Sequence, residues 1–345
     1  MRNKSYRKAV ASILLAACVL ASGCTANPQD TGGDPISTTG FMLDTVITIT
    51  LYDGLNHDNL SGALDVCDKY EKLFSKTVEG SDVWRINHAQ GAPTEVHADT
   101  IEVISTALMY SEMSDGAFDI TIGPVSSLWD FKSSNPKVPD AGALAATVAH
   151  VDYRNVKVEG NTVTLLDTEA QIDLGGIAKG YIADKVVEYL KSRGVTSAII
   201  NLGGNVYAMG SKGGENWTIG LQDPFKRRNT PISAVKLQNK SIVTSGVYER
   251  SFTAEDGTFY HHILDPKTGF SVHNGLVSVT IISDKSIDGD ALTTTCFVLG
   301  LEKGLKLVES LEGVEAIFIT ETEQAYKTDG FGENGIPYIT TEDKN

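Results

Sequence analysis

Cysteine is scarce, four residues in 345, and none of the four forms a CxxC pair or a Cys/His pattern of zinc spacing. Basic side chains are short too: 29 Lys and Arg stand against 44 Asp and Glu, a formal charge of −15. That balance excludes a general nucleic-acid binder, whose phosphate contacts need a basic surface. No apolar run approaches the ~20 residues of a membrane-spanning helix; the longest, residues 9–22, has fourteen. An internal repeat is missing, as is a Pro/Gly linker within residues 40–340. What is present is 41% hydrophobic residues. This excludes wholesale disorder and suffices for one large core or two ordinary ones. The best reading is a single compact unit, with room for two subdomains.

The first residues read as a targeting segment. Arg2, Lys4, Arg7 and Lys8 precede the apolar run, and small residues follow it, the pattern of a secretory signal. Leu20-Ala21-Ser22-Gly23-Cys24 then resembles a bacterial lipobox, with Ala21 where Leu is commoner. In such a motif Cys24 is diacylated and becomes the new N-terminus; ordinary signal cleavage beside an incidental Cys is the alternative. The expectation is an exported protein, facing outside the cytoplasm and held to the cell membrane by lipid on Cys24. Loss of residues 1–23 leaves 25 basic groups against 44 acidic, a charge of −19. Residues 24–39, rich in Thr, Gly, Pro, Asn and Asp, read as a flexible tether, and residues 40–340 as the functional domain. Cys18 leaves with the signal. Cys67 and Cys296 lie far apart in helix-like contexts and read as core positions, with a disulfide as the alternative.

Periodicity predicts strands over 45–52, 197–202, 205–209 and 315–320, and a hairpin over 155–166 around Gly160-Asn161. It predicts helices over 59–74, 100–113, 141–149, 177–193, 287–299 and 305–311, a loop over 132–140, and mostly strands and turns from 217 to 283. The elements are interspersed without regular βαβ alternation. That pattern predicts an α+β fold of mixed sheets with packed helices.

Four segments concentrate chemistry. In Asp173-Leu174-Gly175-Gly176-Ile177-Ala178-Lys179-Gly180-Tyr181, two glycines open a helix and a Lys follows. Backbone can approach a ligand closely there, helix-start N–H groups suit a phosphate, and Lys179 adds a cation. The alternative is a tight strand-to-helix turn with a surface Lys. Around His261, His262 and Asp265, following Thr244-Ser245-Gly246, a His–Asp pair three residues apart suits proton transfer; a polar strand end is the alternative. Asp290 and Thr294, four apart, share a helix face. Carboxylate plus hydroxyl suits Mg²⁺, and helix N-capping by Asp288 or Asp290 is the alternative. Residues 116–124 (GAFDITIGP) read as a turn into a short strand with a buried Phe. The three ligand-like segments together favour phosphoryl-group chemistry: a pyrophosphate, a divalent metal across it, and a base.

These segments resemble the ApbE family, the FAD:protein FMN transferases. The resemblance spans roughly residues 40–330 through MLDT (42–45), GAFDITIGP (116–124), DLGGIAKGY (173–181), NLGGNVYAMG (201–210), TSG (244–246), HHILDPKTG (261–269) and GDALTT (289–294), all in the family's order. It implies a T-fold-like single catalytic unit. It also implies an exported, often lipid-anchored enzyme that binds FAD and Mg²⁺, transfers the FMN half to a Thr hydroxyl of a target flavoprotein as a phosphoester, and releases AMP. The implied acceptors are membrane redox subunits, of Rnf-type complexes or of the sodium-pumping NADH:quinone oxidoreductase. The metal would sit on Asp290, Thr294 and the Gly176 carbonyl, with Thr293 a weaker candidate. FAD would touch Met42, Ala117, Phe118, Asp119, Asp173, Lys179, Ile263 and Leu264. His262 would be the base that activates the acceptor Thr, and Asp265 would support its turn. One position departs from the pattern: Thr77 stands where many members carry an aromatic residue that stacks on a ring of the ligand. Two other functions remain open from the sequence. One is a Mg²⁺-dependent FAD pyrophosphatase using water in place of Thr. The other is a non-enzymatic FAD-binding lipoprotein.

Overall fold

The computed structural model describes residues 33–131, 133–332 and 335–340. The signal, the lipobox with Cys24 and the first part of the tether lie outside them. In chain order the elements are β1 (Ile36–Met42), β2 (Thr45–Leu51), α1 (His57–Phe74), α2 (Asp82–Asn87), β3 (Thr94–Glu95), α3 (Ala98–Met113), α4 (Gly123–Trp129), α5 (Ala141–Val148), β4 (Val156–Glu159) and β5 (Thr162–Leu165). Then come α6 (Ala178–Ser192), β6 (Ala198–Leu202), β7 (Asn205–Met209), β8 (Trp217–Gln222), β9 (Pro231–Leu237), β10 (Lys240–Gly246), β11 (Ser251–Thr253) and β12 (Phe259–His261). The chain closes with β13 (Leu276–Ser283), α7 (Ser286–Leu299), α8 (Leu301–Glu309), β14 (Glu315–Thr320), β15 (Ala325–Lys327) and β16 (Tyr338–Thr340).

The α+β expectation holds. An eight-stranded sheet in the order β1-β2-β6-β7-β10-β13-β14-β15 is antiparallel at every ladder. Helices α1, α6 and α7 pack on one face, and much of the other is covered by the β16-β9-β8 sheet. Burial from both sides explains why β13 (LVSVTIIS) is buried at every residue rather than alternating. Val279 and Ile281 join the helix-side core, and Val277 and Ile282 the opposite one. Cys67 and Cys296 are free and buried, the former on α1 and the latter on α7, as core residues.

Three local expectations change. Residues 36–39, read as tether, belong to β1. Their hydroxyls pair across to β2 (Ser37 with Thr50, Thr39 with Thr48), so a strand forms without an apolar stripe. Residues 116–124 form no strand: turns lead through a single parallel bridge, Ile122 to Gln171, into α4. Phe118 within them is buried, as expected. The last helix begins earlier than predicted, at Leu301, because Gly300 (φ 81°) turns the chain straight from α7 into α8.

Candidate functional site

The site grows from the contact between α6 and α7. Gly180, at the start of α6, lies so close to α7 that a Cβ there would stand 2.3 Å from the Ser286 carbonyl oxygen and 2.6 Å from Ile287 Cα. Gly180→Ala is therefore expected to destabilise the fold by ~3 kcal/mol through overpacking against backbone that cannot yield. Chemical denaturation measures that shift. The close approach lets the Gly180 N–H donate to Asp290 Oδ2 at 2.9 Å. Lys179 Nζ reaches Asp290 Oδ1 at 3.2 Å and the Gly175 carbonyl at 3.2 Å. Asp290, only 4% exposed, is thus held by α6.

Thr294 lies one turn beyond Asp290 on α7. Its neighbours' hydroxyls bond the helix backbone, Thr293 to the Asp290 carbonyl and Thr295 to the Ala291 carbonyl, each at 2.8 Å. The Thr294 hydroxyl makes no hydrogen bond among the described residues. Gly176 faces it: a Cβ on Gly176 would lie 3.5 Å from Thr294 Oγ1 and 3.1 Å from the Phe118 ring. Carboxylate, hydroxyl and a backbone carbonyl are the donor set of a hard cation, so these residues fit Mg²⁺; Thr293 beside them is fully buried and gives its hydroxyl hydrogen to the Asp290 carbonyl. No trio of His, Cys, Asp or Glu among the described residues could hold a metal alone. Ligand or water oxygens would complete the shell. The N-capping alternative fails, since α7 starts at Ser286 and neither Asp288 nor Asp290 caps it.

The glycine-led turn before α6 is less open to a phosphate than its sequence suggests. The N–H groups of Ile177 and Ala178 bond the Leu174 carbonyl, and that of Gly180 is taken by Asp290. Asp173 accepts from the Gly175 N–H at 2.9 Å, from Ser126 Oγ at 2.8 Å and from Lys76 Nζ at 2.8 Å. Burial pushes the Asp173 carboxyl upward, but the Lys76 charge and these hydrogen bonds outweigh it and hold the group below its ordinary range. Lys76 also reaches Ser126 Oγ and Ser127 Oγ, at 2.8 and 3.1 Å. A lone Lys after a helix carries no motif, so sequence reasoning missed it. Its only hint is that it precedes the exposed Thr77. Lys76→Met leaves the Asp173 carboxylate without its cation and is expected to destabilise the fold by about 1.5–3 kcal/mol, the loss of one charged hydrogen bond, as read by chemical denaturation.

Residues 117–119 frame the other wall. Asp119 does not offer its carboxylate. Oδ1 accepts from the Thr121 N–H and hydroxyl at 2.8 and 2.6 Å, and Oδ2 from the Tyr153 N–H at 2.8 Å. Burial raises its pKa against those bonds. Its role is to shape the loop, and a ligand contact would have to come from backbone. Ala117 and Phe118 are buried beside it. Met42 ends β1 at a hairpin whose corner residues Leu43 and Asp44 both adopt positive φ, 55° and 57°, the geometry of a two-residue turn usually given to Asn or Gly.

The two adjacent histidines separate cleanly. His261 is 1% exposed, its Nε2 bonded to the Val272 carbonyl at 2.9 Å. His262 keeps partial exposure, but its Nδ1 is buried without a partner. Burial first, then the charges of Arg250 and Lys179 among its neighbours, drive its pKa down to about 3, so the ring is neutral at pH 7. Asp265 does not pair with it. Its Oδ1 accepts from the Lys267 N–H at 2.8 Å and its carbonyl closes the turn to Gly269 at 2.7 Å. The predicted His–Asp pair is thus not formed: Asp265 is a turn residue and His262 a neutral imidazole without it. Ile263 and Leu264 are buried on the strand side of that turn. A cavity of about 550 Å³ opens beside it, reaching Ala117 and Asp265 but not Asp290, Thr294, Lys179 or His262.

Comparison with known proteins gives a consistent result. The sequence profile of the ApbE family matches residues 43–318. An FAD:protein FMN transferase of Klebsiella pneumoniae is 40% identical over 285 residues, covering 81% of this chain and 87% of the relative. One from Treponema pallidum is 37% identical, covering 76% and 77%. Among solved structures, the ApbE protein of Thermotoga maritima superposes with a TM-score of 0.79 at 31% identity, over 86% of this chain and 97% of that one. The flavin transferase ApbE of Vibrio cholerae gives 0.77 at 27% identity, over the same 86% and 97%.

Proposed function

The chain belongs to the ApbE family, and on that premise we propose that it is an FAD:protein FMN transferase that uses Mg²⁺ and a Thr hydroxyl as acceptor. The observation that carries the reading is the convergence at the α6–α7 contact: Asp290 and Thr294 beside Gly176 and Lys179, with a neutral, partly exposed His262 inside the Lys179 field. Asp290, Thr294 and the Gly176 carbonyl would hold the metal, which when bound supplies charge neutralisation to the FAD pyrophosphate. Lys179 would face the same phosphates. His262 takes the proton of the acceptor Thr. The Thr oxygen bonds the FMN-side phosphorus in line, the bridging P–O bond breaks, and AMP leaves with that electron pair. Positioning and charge stabilisation carry most of the rate, as in other phosphoryl transfers.

Export, the lipid on Cys24 and a membrane redox subunit as acceptor, of the Rnf type or of the sodium-pumping NADH:quinone oxidoreductase, complete the proposal. They rest on the N-terminal sequence and the family resemblance. The test is to incubate the purified protein with FAD, Mg²⁺ and an acceptor protein and weigh the acceptor. A mass gain equal to FMN supports the transferase. FMN and AMP without labelled acceptor would make it a pyrophosphatase. Unchanged FAD would make it a flavin-binding protein.

A further inference from the structure

Helix α7 carries the proposed metal ligands but lacks a cap of its own. Its N-cap position is Lys285, which makes no side-chain capping bond. The cap comes instead from α6, 102 residues earlier: Asp184 Oδ1 accepts from the Ser286 N–H at 2.8 Å and Oδ2 from the Ile287 N–H at 3.0 Å. An anion there also meets the positive end of the helix dipole. Asp184 lies one turn after Gly180, on the same face of α6, and Ser286–Ile287 lie one turn before Asp290. The two helices are therefore joined at two levels one turn apart, Asp184 to the start of α7 and the Gly180 N–H to Asp290. The same end of α7 is secured by Ser286 Oγ to Asn205 Oδ1 at 2.6 Å, Ser241 Oγ to Ser286 Oγ at 2.7 Å, and Tyr110 OH to Asp288 Oδ1 at 2.8 Å. Burial pushes the Asp184 carboxyl up to about 6, and the two N–H bonds act against that shift. A carboxylate kept in that setting has a partner that needs both its oxygens.

We infer that Asp184 is a positioning residue. By capping Ser286 and Ile287 across the helix interface it sets the register of α7 on α6, and so the placement of Asp290 and Thr294 opposite Lys179 and Gly176. The inference rests on the metal site proposed above. It assigns Asp184 no contact with metal or FAD.

The experiment measures Mn²⁺ affinity by paramagnetic resonance on the FAD-loaded full chain, alongside transfer and thermal stability. Asp184→Asn keeps the shape but loses the charge and one acceptor. It is expected to weaken Mn²⁺ binding about tenfold or more, with transfer falling in parallel and excess metal restoring part of it. The double variant Asp184→Asn/Lys285→Ser should regain Mn²⁺ affinity, because a serine at the N-cap satisfies the helix's own first turn. If Asp184→Asn does not fold, recovery of folding and Mn²⁺ affinity in the double variant supports the inference. A double variant that stays unfolded, or folds without regaining the metal, overturns it. Parent-like Mn²⁺ affinity and transfer in Asp184→Asn overturn it as well. Asn59→Ala, which removes the Arg193 Nε bond at the far end of α6, is the stability control. It should lower the melting temperature and leave Mn²⁺ affinity alone; an equal loss of Mn²⁺ affinity there would reduce Asp184 to general stability and overturn the inference. Asp290→Ala separates the two levels. Undiminished Mn²⁺ binding in that variant removes the metal reading, whereas a metal-blind Asp290→Ala beside a parent-like Asp184→Asn removes only the clamp.

Discussion

Asp290→Ala is expected to bring flavin transfer to background, a loss of at least about a thousandfold at saturating Mg²⁺, since Asp290 is the one carboxylate among the three ligands proposed. The same change orphans the buried Gly180 N–H and leaves Lys179 without its anion. Some of the loss could then be structural, at about 1–3 kcal/mol for an unsatisfied buried donor. Asp290→Asn resolves this. Its amide oxygen still accepts from Gly180, so the variant should melt above Asp290→Ala although Lys179 loses its anion in both, and it presents no charge to a cation. Expected together are stability above that of Asp290→Ala, loss of Mn²⁺ binding and loss of transfer. A fully active Asp290→Asn would sink the metal assignment. One carboxylate with two neutral oxygens also predicts weak metal binding in the absence of FAD, tightening when phosphate oxygens join the shell. Calorimetry with and without FAD checks that order.

Much of this arrangement could be read in the sequence because local pattern and tertiary need coincide. Helix α6 has an amphipathic face and a closing Gly194, and it lies within one residue of its predicted bounds at either end. Asp290 and Thr294 share a face because helical spacing requires it. What could not be read depends on partners distant in sequence. Strand β1 (ISTTGFM) lacks an apolar stripe and exists because hydroxyl pairs and the β2 ladder accept it. Loop 116–124 reads like a strand, but Gly123 donates to the Gln171 carbonyl and Asp119 closes onto Thr121 and Tyr153, which spends the loop's polar groups on turns. The family resemblance puts Asp119 and Thr293 near the ligands and the residue pattern pairs Asp265 with His262; in the fold each bonds its own stretch of chain, Asp119 to Thr121 and Tyr153, Asp265 to Lys267 and Thr293 to Asp290. Lys76 and Asp184 went unnoticed for the converse reason. A charged residue on or after a helix is unremarkable until Asp173 and the start of α7 are seen to be its partners.

His262→Ala should bind FAD with near-parental affinity and lose transfer by about a hundredfold to ten-thousandfold, the usual range for a positioned general base. The companion change Asp265→Asn discriminates between two designs. In a His–Asp dyad it would be nearly as damaging as loss of the His. Here Asp265 caps the Lys267 N–H and never meets the imidazole, so the expected loss is no more than a few-fold. The pH profile adds a third constraint. In the free protein burial and the fields of Arg250 and Lys179 hold His262 at about 3, which keeps it ready to accept a proton but makes it a weak base. Because kcat/KM reports the free enzyme, the acid limb of kcat/KM for FAD reads that group. In Lys179→Met part of the positive field on the ring is relieved, so that limb should move to higher pH. Normal transfer by His262→Ala would remove the residue from the mechanism. An unmoved limb in Lys179→Met would mean that a group other than His262 takes the proton.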